Sequence, residues 1–199
     1  MIGILLAAGK GSRFDPSGLE NKLLQALGTD CVASAAARNL LAVLPRVVAV
    51  VRPGTPVLAQ KLRAAGCQVI ECAQAEQGMG ASLAYALSQA AEAQGWVVAL
   101  ADMPWVRPQT IASLAAAIRA GAGIAQPLYR GQRGNPVAFS RRYLPQLQRL
   151  SGDQGARALL KTEAVEQIAV DDPGIVRDID TPADLRDQAP EIGASPPHS

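Results

Sequence analysis

The stretch Leu6-Ala7-Ala8-Gly9-Lys10-Gly11-Ser12-Arg13-Phe14, followed by Lys22, carries the residue types that handle phosphate. A glycine-rich turn directly after an apolar run lets backbone N–H groups approach an anion, while arginine offers a forked donor and lysine a point charge. The motif is weak alone. Phe14 stands where a dinucleotide fingerprint needs its third glycine, and no Gly-Lys-Ser/Thr closes a P-loop. An ordinary tight turn with solvated Lys10 and Arg13 is the competing reading. Asp102 supplies the complementary charge, since it ends the apolar run Trp96 to Ala101 and is followed by Met103-Pro104. Carboxylates at the carboxyl ends of buried strands point into the crevice where open α/β sheets bind ligands. The next helix starts near Pro108, too far on for Asp102 to cap it. Asp178 and Asp180 stand just before Thr181-Pro182-Ala183-Asp184, whose Thr181 and Asp184 already satisfy a helix start. Asp180 is thereby free for another task, and Asp178 can join it. Phosphates on one side and carboxylates on the other form a hard-oxygen shell for Mg²⁺.

These residues need a frame that brings them together. Short apolar runs, Ile2 to Leu6, Arg46 to Val51, Gln68 to Ile70 and Trp96 to Leu100, suit strands buried on both faces. Between them Ser34–Leu44, Thr55–Ala65 and Ala81–Ala93 repeat Ala and Leu at helical spacing, with Pro45, Gly66 and Gly95 as stops. This alternation predicts βαβ units, right-handed crossovers and a single-domain, doubly wound, mostly parallel sheet. Wound in the order 3-2-1-4, it would set the first and fourth strands side by side, with the glycine turn and Asp102 on one rim. In the second half a helix spans Pro108 to Ala120 and a strand Gly123 to Pro127. A turn at Arg130–Gly134 then leaves too little chain for a crossover, so Asn135–Phe139 is expected to be an antiparallel member. A helix near Arg141–Leu150, a turn at Ser151–Asp153, a helix to about Lys161, a strand Val165–Val170 and a short helix from Thr181 complete the domain, taken as residues 1–188. Residues 189–199 read as a disordered tail.

Composition removes several chemistries. The 199 residues contain 19 Lys and Arg against 17 Asp and Glu, three cysteines and one histidine, His198, the second-last residue. No serine triad, cysteine–histidine dyad or histidine-ligated zinc can be built around it. Cys31, Cys67 and Cys72 lack Cys-x-x-Cys spacing and read as reduced, buried and cytoplasmic. Cys67 and Cys72 lie five apart across a strand and should face opposite sides. Near-zero net charge and 4% aromatic residues argue against a nucleic-acid surface. The run Met1 to Ala8 is too short to cross a bilayer, so no membrane role is expected.

Taken in order, these motifs resemble the MobA/MocA-like nucleotidyltransferases, and most of all the molybdenum cofactor cytidylyltransferases. The resemblance rests on the glycine turn, Asn21-Lys22-Leu23-Leu24, Gln77-Gly78-Met79-Gly80-Ala81-Ser82-Leu83, Ala101-Asp102-Met103-Pro104, Arg133-Gly134-Asn135-Pro136-Val137, Ser151-Gly152-Asp153-Gln154-Gly155-Ala156-Arg157 and Asp178-Ile179-Asp180-Thr181-Pro182. It runs over roughly residues 2 to 187 and implies a Rossmann-like nucleotidyltransferase fold. It also implies Mg²⁺-dependent transfer of CMP from CTP to molybdenum-molybdopterin, with release of pyrophosphate. On it Lys22, Arg13 and Asp102 are the catalytic residues, and Gly9, Gly11 and Arg13 hold the triphosphate. Lys22 neutralises the α-phosphate, and Asp102 and Asp180 bind the metal. Leu6, Ala7 and Ala8 bind the nucleotide, with the base read near Ala8, which favours cytosine over guanine, and Gly78, Gly80 and Ser82 lie against base and ribose. Asn135, Ser151, Asp153 and Arg157 face the pterin phosphate. A molybdenum hydroxylase or its maturation protein is the implied recipient.

The chain departs from the family pattern in four places. Asp15 to Glu20 lengthen the segment before Lys22, Asn135 replaces a common histidine, Gly28-Thr29-Asp30-Cys31 replaces a Gly-x-Pro-Leu turn, and Arg107 stands at a helix cap. Other readings stay open: GTP or another triphosphate with a different phosphorylated acceptor, a nicotinamide-binding oxidoreductase, or non-catalytic nucleotide binding. Against the oxidoreductase, no acid ends Arg46–Val51 to take a ribose hydroxyl.

Overall fold

The structure is a computed structural model that describes residues 1–9, 11, 13–15, 20–153 and 155–185. In chain order its elements are β1 (Ile2–Leu6), β2 (Ala26–Leu27), β3 (Asp30–Cys31), α1 (Val32–Leu41), β4 (Val47–Val51), α2 (Pro56–Ala65), β5 (Gln68–Glu71), α3 (Met79–Ser88), β6 (Gly95–Leu100), α4 (Pro108–Arg119), β7 (Ile124–Tyr129), β8 (Gln132–Arg133), β9 (Val137–Ser140), α5 (Leu144–Gln148), α6 (Arg157–Thr162) and β10 (Glu166–Ala169). The main sheet runs β10-β7-β9-β6-β1-β4-β5, with β8 on β7. Its first four βα strands take the expected 3-2-1-4 order as β5-β4-β1-β6, all parallel. Leu6 lies opposite both Val50 and Leu100. Three strands therefore end level, and the segments leaving them share one rim.

Alternation along the strands sorts the core into two layers. Leu5, Ala49, Val51, Val97 and Ala99 pack under α1, α2 and α4, whereas Ile4, Leu6, Val48, Val50, Trp96 and Val98 pack under α3 and α5. Cys67 falls in the first layer and Cys72 in the second, on opposite sides as their spacing requires. All three cysteines are buried free thiols, and burial pushes Cys67 up to about 11. Among the described residues no helix is long and apolar enough to cross a membrane.

The antiparallel member is present, because Arg130 and Gly131 both take positive φ and close a two-residue turn between Tyr129 and Gln132. The chain folds straight back, and β9 inserts between β6 and β7, antiparallel to both. Some expectations are corrected. β5 is an edge strand, with Gln68 and Glu71 exposed and Val69 and Ile70 half-buried, rather than buried on both faces. α3 stops at Ser88 and gives way to turns before β6. The predicted 141–150 helix is a 3-10 turn at Arg141–Tyr143 followed by the short α5, with Pro145 in its first turn. Residues 181–185 form a turn, not a helix, and the rest of that predicted helix and the 189–199 tail lie outside the described residues.

Candidate active site

The site grows from the rim where β1 and β6 end. Ala7 N–H donates to the Val50 carbonyl and Ala101 N–H to the Leu6 carbonyl, which sets the glycine turn beside Asp102. Gly11 takes φ +67, a conformation side chains resist, and its carbonyl accepts from Phe14 N–H. The buried Phe14 ring anchors the turn in the core. Asn21 caps the next 3-10 turn by accepting from Leu23 N–H at 3.0 Å, and buried Leu23 fixes that turn under Lys22. Lys22 thus reaches the rim in spite of the longer segment before it.

Four charged groups meet there. The Lys22 ammonium donates to Asp102 Oδ2 at 2.6 Å and to Asp180 Oδ1 at 2.9 Å, and Arg13 Nη1 donates to Asp180 Oδ2 at 2.6 Å. Asp180 is delivered by main-chain bonds: Ile179 N–H donates to the Asp102 carbonyl, while Asp184 accepts from the N–H groups of Asp180 and Thr181. The turn is therefore satisfied by Asp184, and Asp180 faces the cations. Burial disfavours charge on Lys22, yet the hydrogen bonds and charges of Asp102 and Asp180 outweigh it and raise its pKa. The Lys22 hydrogen bond, then Arg13, holds Asp180 below the ordinary carboxylate range. Asp178 moves the other way, raised by desolvation and by the Asp180 and Asp102 charges.

One carboxylate oxygen each from Asp102, Asp178 and Asp180 lie within 4.8 Å of one another. Asp102 Oδ1 is buried and has no hydrogen-bond partner among the described residues. A buried lone acceptor is costly, and a cation would satisfy it. Beside this cluster opens a cleft of about 520 Å³, whose walls include Leu6, Ala8, Gly9, Arg13, Lys22, Gly78, Ser82, Asp102 and Asp153.

Other expected site residues stand back from these walls. Ala7 is buried beneath the turn, and Gly11 lies behind the Lys22 stem. Gly80 packs against Ser151: a Cβ there would sit 2.7 Å from the Ser151 carbonyl oxygen. Its lack of a side chain serves loop packing, where contact with base or ribose was expected. Asn135 leads into β9 and lines a separate, small apolar pocket with Met103 and Ile111. Arg157 opens α6 on the surface. Of the four residues expected at the acceptor, the cleft wall includes Asp153, and it does so beside Gly78, Met79 and Ser82. Ala75, Glu76 and Met79 also line the cleft. Their position in the β5–α3 connection and at the first residue of α3, beyond the carboxyl end of a parallel strand, is the signal that marks them.

A glycine turn, two cations and a carboxylate cluster at the strand-order reversal of an open sheet define a nucleotidyltransferase. The MobA-like NTP transferase domain matches residues 3–168, and the chain belongs to that family. It is 32% identical to the purine catabolism protein PucB of Bacillus subtilis (strain 168) over 196 residues, covering 92% of each chain. Its fold is similar to the crystal structure of Rv0371c from Mycobacterium tuberculosis H37Rv, with TM-score 0.80 and 26% identity over 93% of this chain and 95% of that one. A manganese complex of Rv0371c matches with TM-score 0.71 and 27% identity over the same shares. Molybdopterin-guanine dinucleotide biosynthesis protein A from Archaeoglobus fulgidus shares the fold, with TM-score 0.66 and 20% identity over 94% of this chain and 95% of that one.

Proposed function

We propose that the protein transfers CMP from CTP to the terminal phosphate of molybdenum-molybdopterin, with Mg²⁺, releasing pyrophosphate. The observation that carries this reading is the Lys22–Asp102–Asp180–Arg13 cluster opening onto a cleft whose wall includes Ala8. Asp102 and Asp180, with Asp178 beside them, would hold the cation; the manganese complex of Rv0371c supports a divalent ion. When bound, the ion supplies charge neutralisation for the triphosphate. Lys22 and Arg13 do the rest of the electrostatic work by exchanging carboxylate for phosphate oxygens. A phosphomonoester has a second pKa of about 6, so the attacking oxygen arrives ionised and the chain need supply no general base. Catalysis is then in-line positioning plus charge neutralisation.

The cytidine preference rests on Ala8 and the acceptor on the family resemblance. A molybdenum hydroxylase or its maturation protein as recipient suits a relative named for purine catabolism, and three free thiols suit a reducing cytoplasm. The test is incubation of the purified protein with each nucleoside triphosphate, Mg²⁺ and molybdopterin cofactor while pyrophosphate is followed. CTP-selective turnover that falls by about 10²–10³ in Asp102→Ala supports the reading. Turnover with GTP alone or with a sugar phosphate alone replaces substrate or acceptor, and tight NADH binding without pyrophosphate release overturns the reading altogether.

A further inference from the structure

We infer that Asp153 reads the nucleoside half of the nucleotide, accepting a hydrogen bond from a ribose hydroxyl or a base amino group, and that Gly78 and Gly80 form the notch that holds it there. The inference rests on the cleft being a nucleoside triphosphate site. Three observations carry it. Asp153 lies on the cleft wall with Gly78, Met79 and Ser82, so it faces the same space as Ala8 and Lys22. Among the described residues nothing donates to its carboxylate, although an exposed turn offers it every freedom to pair elsewhere. The turn that bears it is docked by contacts that leave no room for side chains. Gly80 N–H donates to the Gly152 carbonyl at 2.8 Å. A Cβ on Gly80 would stand 2.7 to 2.9 Å from Ser151 O, C and N, all backbone atoms that cannot rotate aside. At Gly78, φ +112 disfavours any side chain, and a Cβ would overlap Asp153 Oδ1 and the Gly152 carbonyl carbon. The carboxylate therefore rests directly against the start of α3, where the helix dipole favours it.

Asp102 and Asp180 stand at the phosphate end paired with Lys22 and Arg13, whereas among the described residues no cation pairs with Asp153, which would repel a phosphate brought against it. Arg13 and Lys22 already mark the phosphate end, so the Asp153 wall receives the part of the ligand that carries O–H and N–H donors. The same placement takes Asp153 away from the pterin side that the family resemblance implied.

The experiment measures KM and kcat for CTP, 2′-deoxy-CTP, 3′-deoxy-CTP and UTP at saturating acceptor, KM for the acceptor, and CTP affinity by calorimetry. It compares wild type, Asp153→Asn and Gly80→Ala, with melting curves to check folding. Asp153→Asn is expected to raise KM and Kd for CTP at least about tenfold, the cost of losing a charge-assisted hydrogen bond, and to leave the acceptor's KM unmoved. Discrimination against one of the three analogues should vanish with it: a deoxy analogue identifies the ribose hydroxyl, UTP the base amine. Gly80→Ala should move the same parameters, because it displaces the same turn. An unchanged CTP Kd in folded Asp153→Asn, or a rise confined to the acceptor's KM, overturns this inference while wild-type turnover leaves the proposed function standing. Failure of the wild type to bind any nucleoside triphosphate overturns both.

Discussion

Asp178 and Asp180 stand two residues apart and shift in opposite directions: Lys22 and Arg13 take both oxygens of Asp180, whereas Asp178 is desolvated and, among the described residues, forms no salt bridge. A carboxyl raised on folding, first by desolvation and then by Asp180, costs stability once the unfolded chain would ionise, so stability falls as pH rises through about 4. Asp180, depressed chiefly by Lys22, does the reverse: its contribution is present above about pH 4 and is lost as pH falls towards its lower folded value. Asp178→Asn should therefore raise the melting temperature at pH 7 in EDTA by about 1–2 °C, a partly solvated effect, and give no gain near pH 3. With Mg²⁺ added the wild type should gain more than the variant, since a ligand stabilises the state that binds it. Melting curves in the two buffers check it, and a lower melting temperature for Asp178→Asn in EDTA at pH 7 counts against the arrangement. At this scale Asp102, just past a strand end, and Asp180, just before a satisfied turn, were legible in the sequence from local rules, and Arg13 and Lys22 from their place in and after the glycine turn. Gly80 and Asn135 were not. Whether a glycine meets a ligand or a neighbouring loop depends on a segment some seventy residues away, which no local spacing reports.

The elements show the same divide. Strands β1, β4 and β6, the intervening helices and their 3-2-1-4 order follow from apolar runs and Gly and Pro stops, while β9 between β6 and β7 is a tertiary choice that only the turn at Arg130-Gly131 hints at. The start of α4 is another. Arg107 precedes Pro108 and offers no capping side chain, yet the end is satisfied from 65 residues away. Buried Asp172 accepts from Arg107 N–H at 2.8 Å and Thr110 Oγ at 2.6 Å with one oxygen, and from Gly174 N–H at 3.0 Å with the other. The same carboxylate thus ties α4 to the 173–176 turn, whose Ile175 carbonyl accepts from Asn135 N–H and whose Gly174 lies against Trp105. That turn leads directly into Asp178 and Asp180. Asp172→Ala should cost about 2–4 kcal/mol, as loss of a cap together with buried donors left unsatisfied. Urea unfolding measures it. Metal affinity in the folded variant should weaken as well, because Asp180 loses its support; an unchanged urea midpoint would show that the cap contributes nothing.

At the scale of the whole molecule, the scarcity of histidine becomes a statement about how the rate must depend on pH. His198 is the chain's one imidazole, and it lies outside the described residues. The site is instead built from groups that hold their charge across neutrality: Asp180 is kept ionised by Lys22, and Lys22 is kept protonated above the ordinary lysine value by Asp102 and Asp180 once burial is outweighed. Both shifts carry these two groups away from neutrality, and a bound cation would keep Asp178, raised by desolvation and by its acidic neighbours, ionised as well. If the acceptor is a phosphomonoester, the single ionisation left near neutrality belongs to the substrate, at about 6. The expected profile of kcat/KM at saturating Mg²⁺ is then a rise with unit slope to about pH 6, followed by a plateau that extends past pH 9 because Lys22 stays charged. His198→Ala should superimpose on the wild type. An acceptor analogue whose phosphate ionises at lower pH should carry the acidic limb down with it, while an enzyme general base would keep the limb in place whichever acceptor is used. A limb that stays fixed, or a profile that His198→Ala alters, would mean that the chain takes a proton itself, and the catalytic account built on Arg13, Lys22 and the carboxylates would have to give way to one with an acid–base residue.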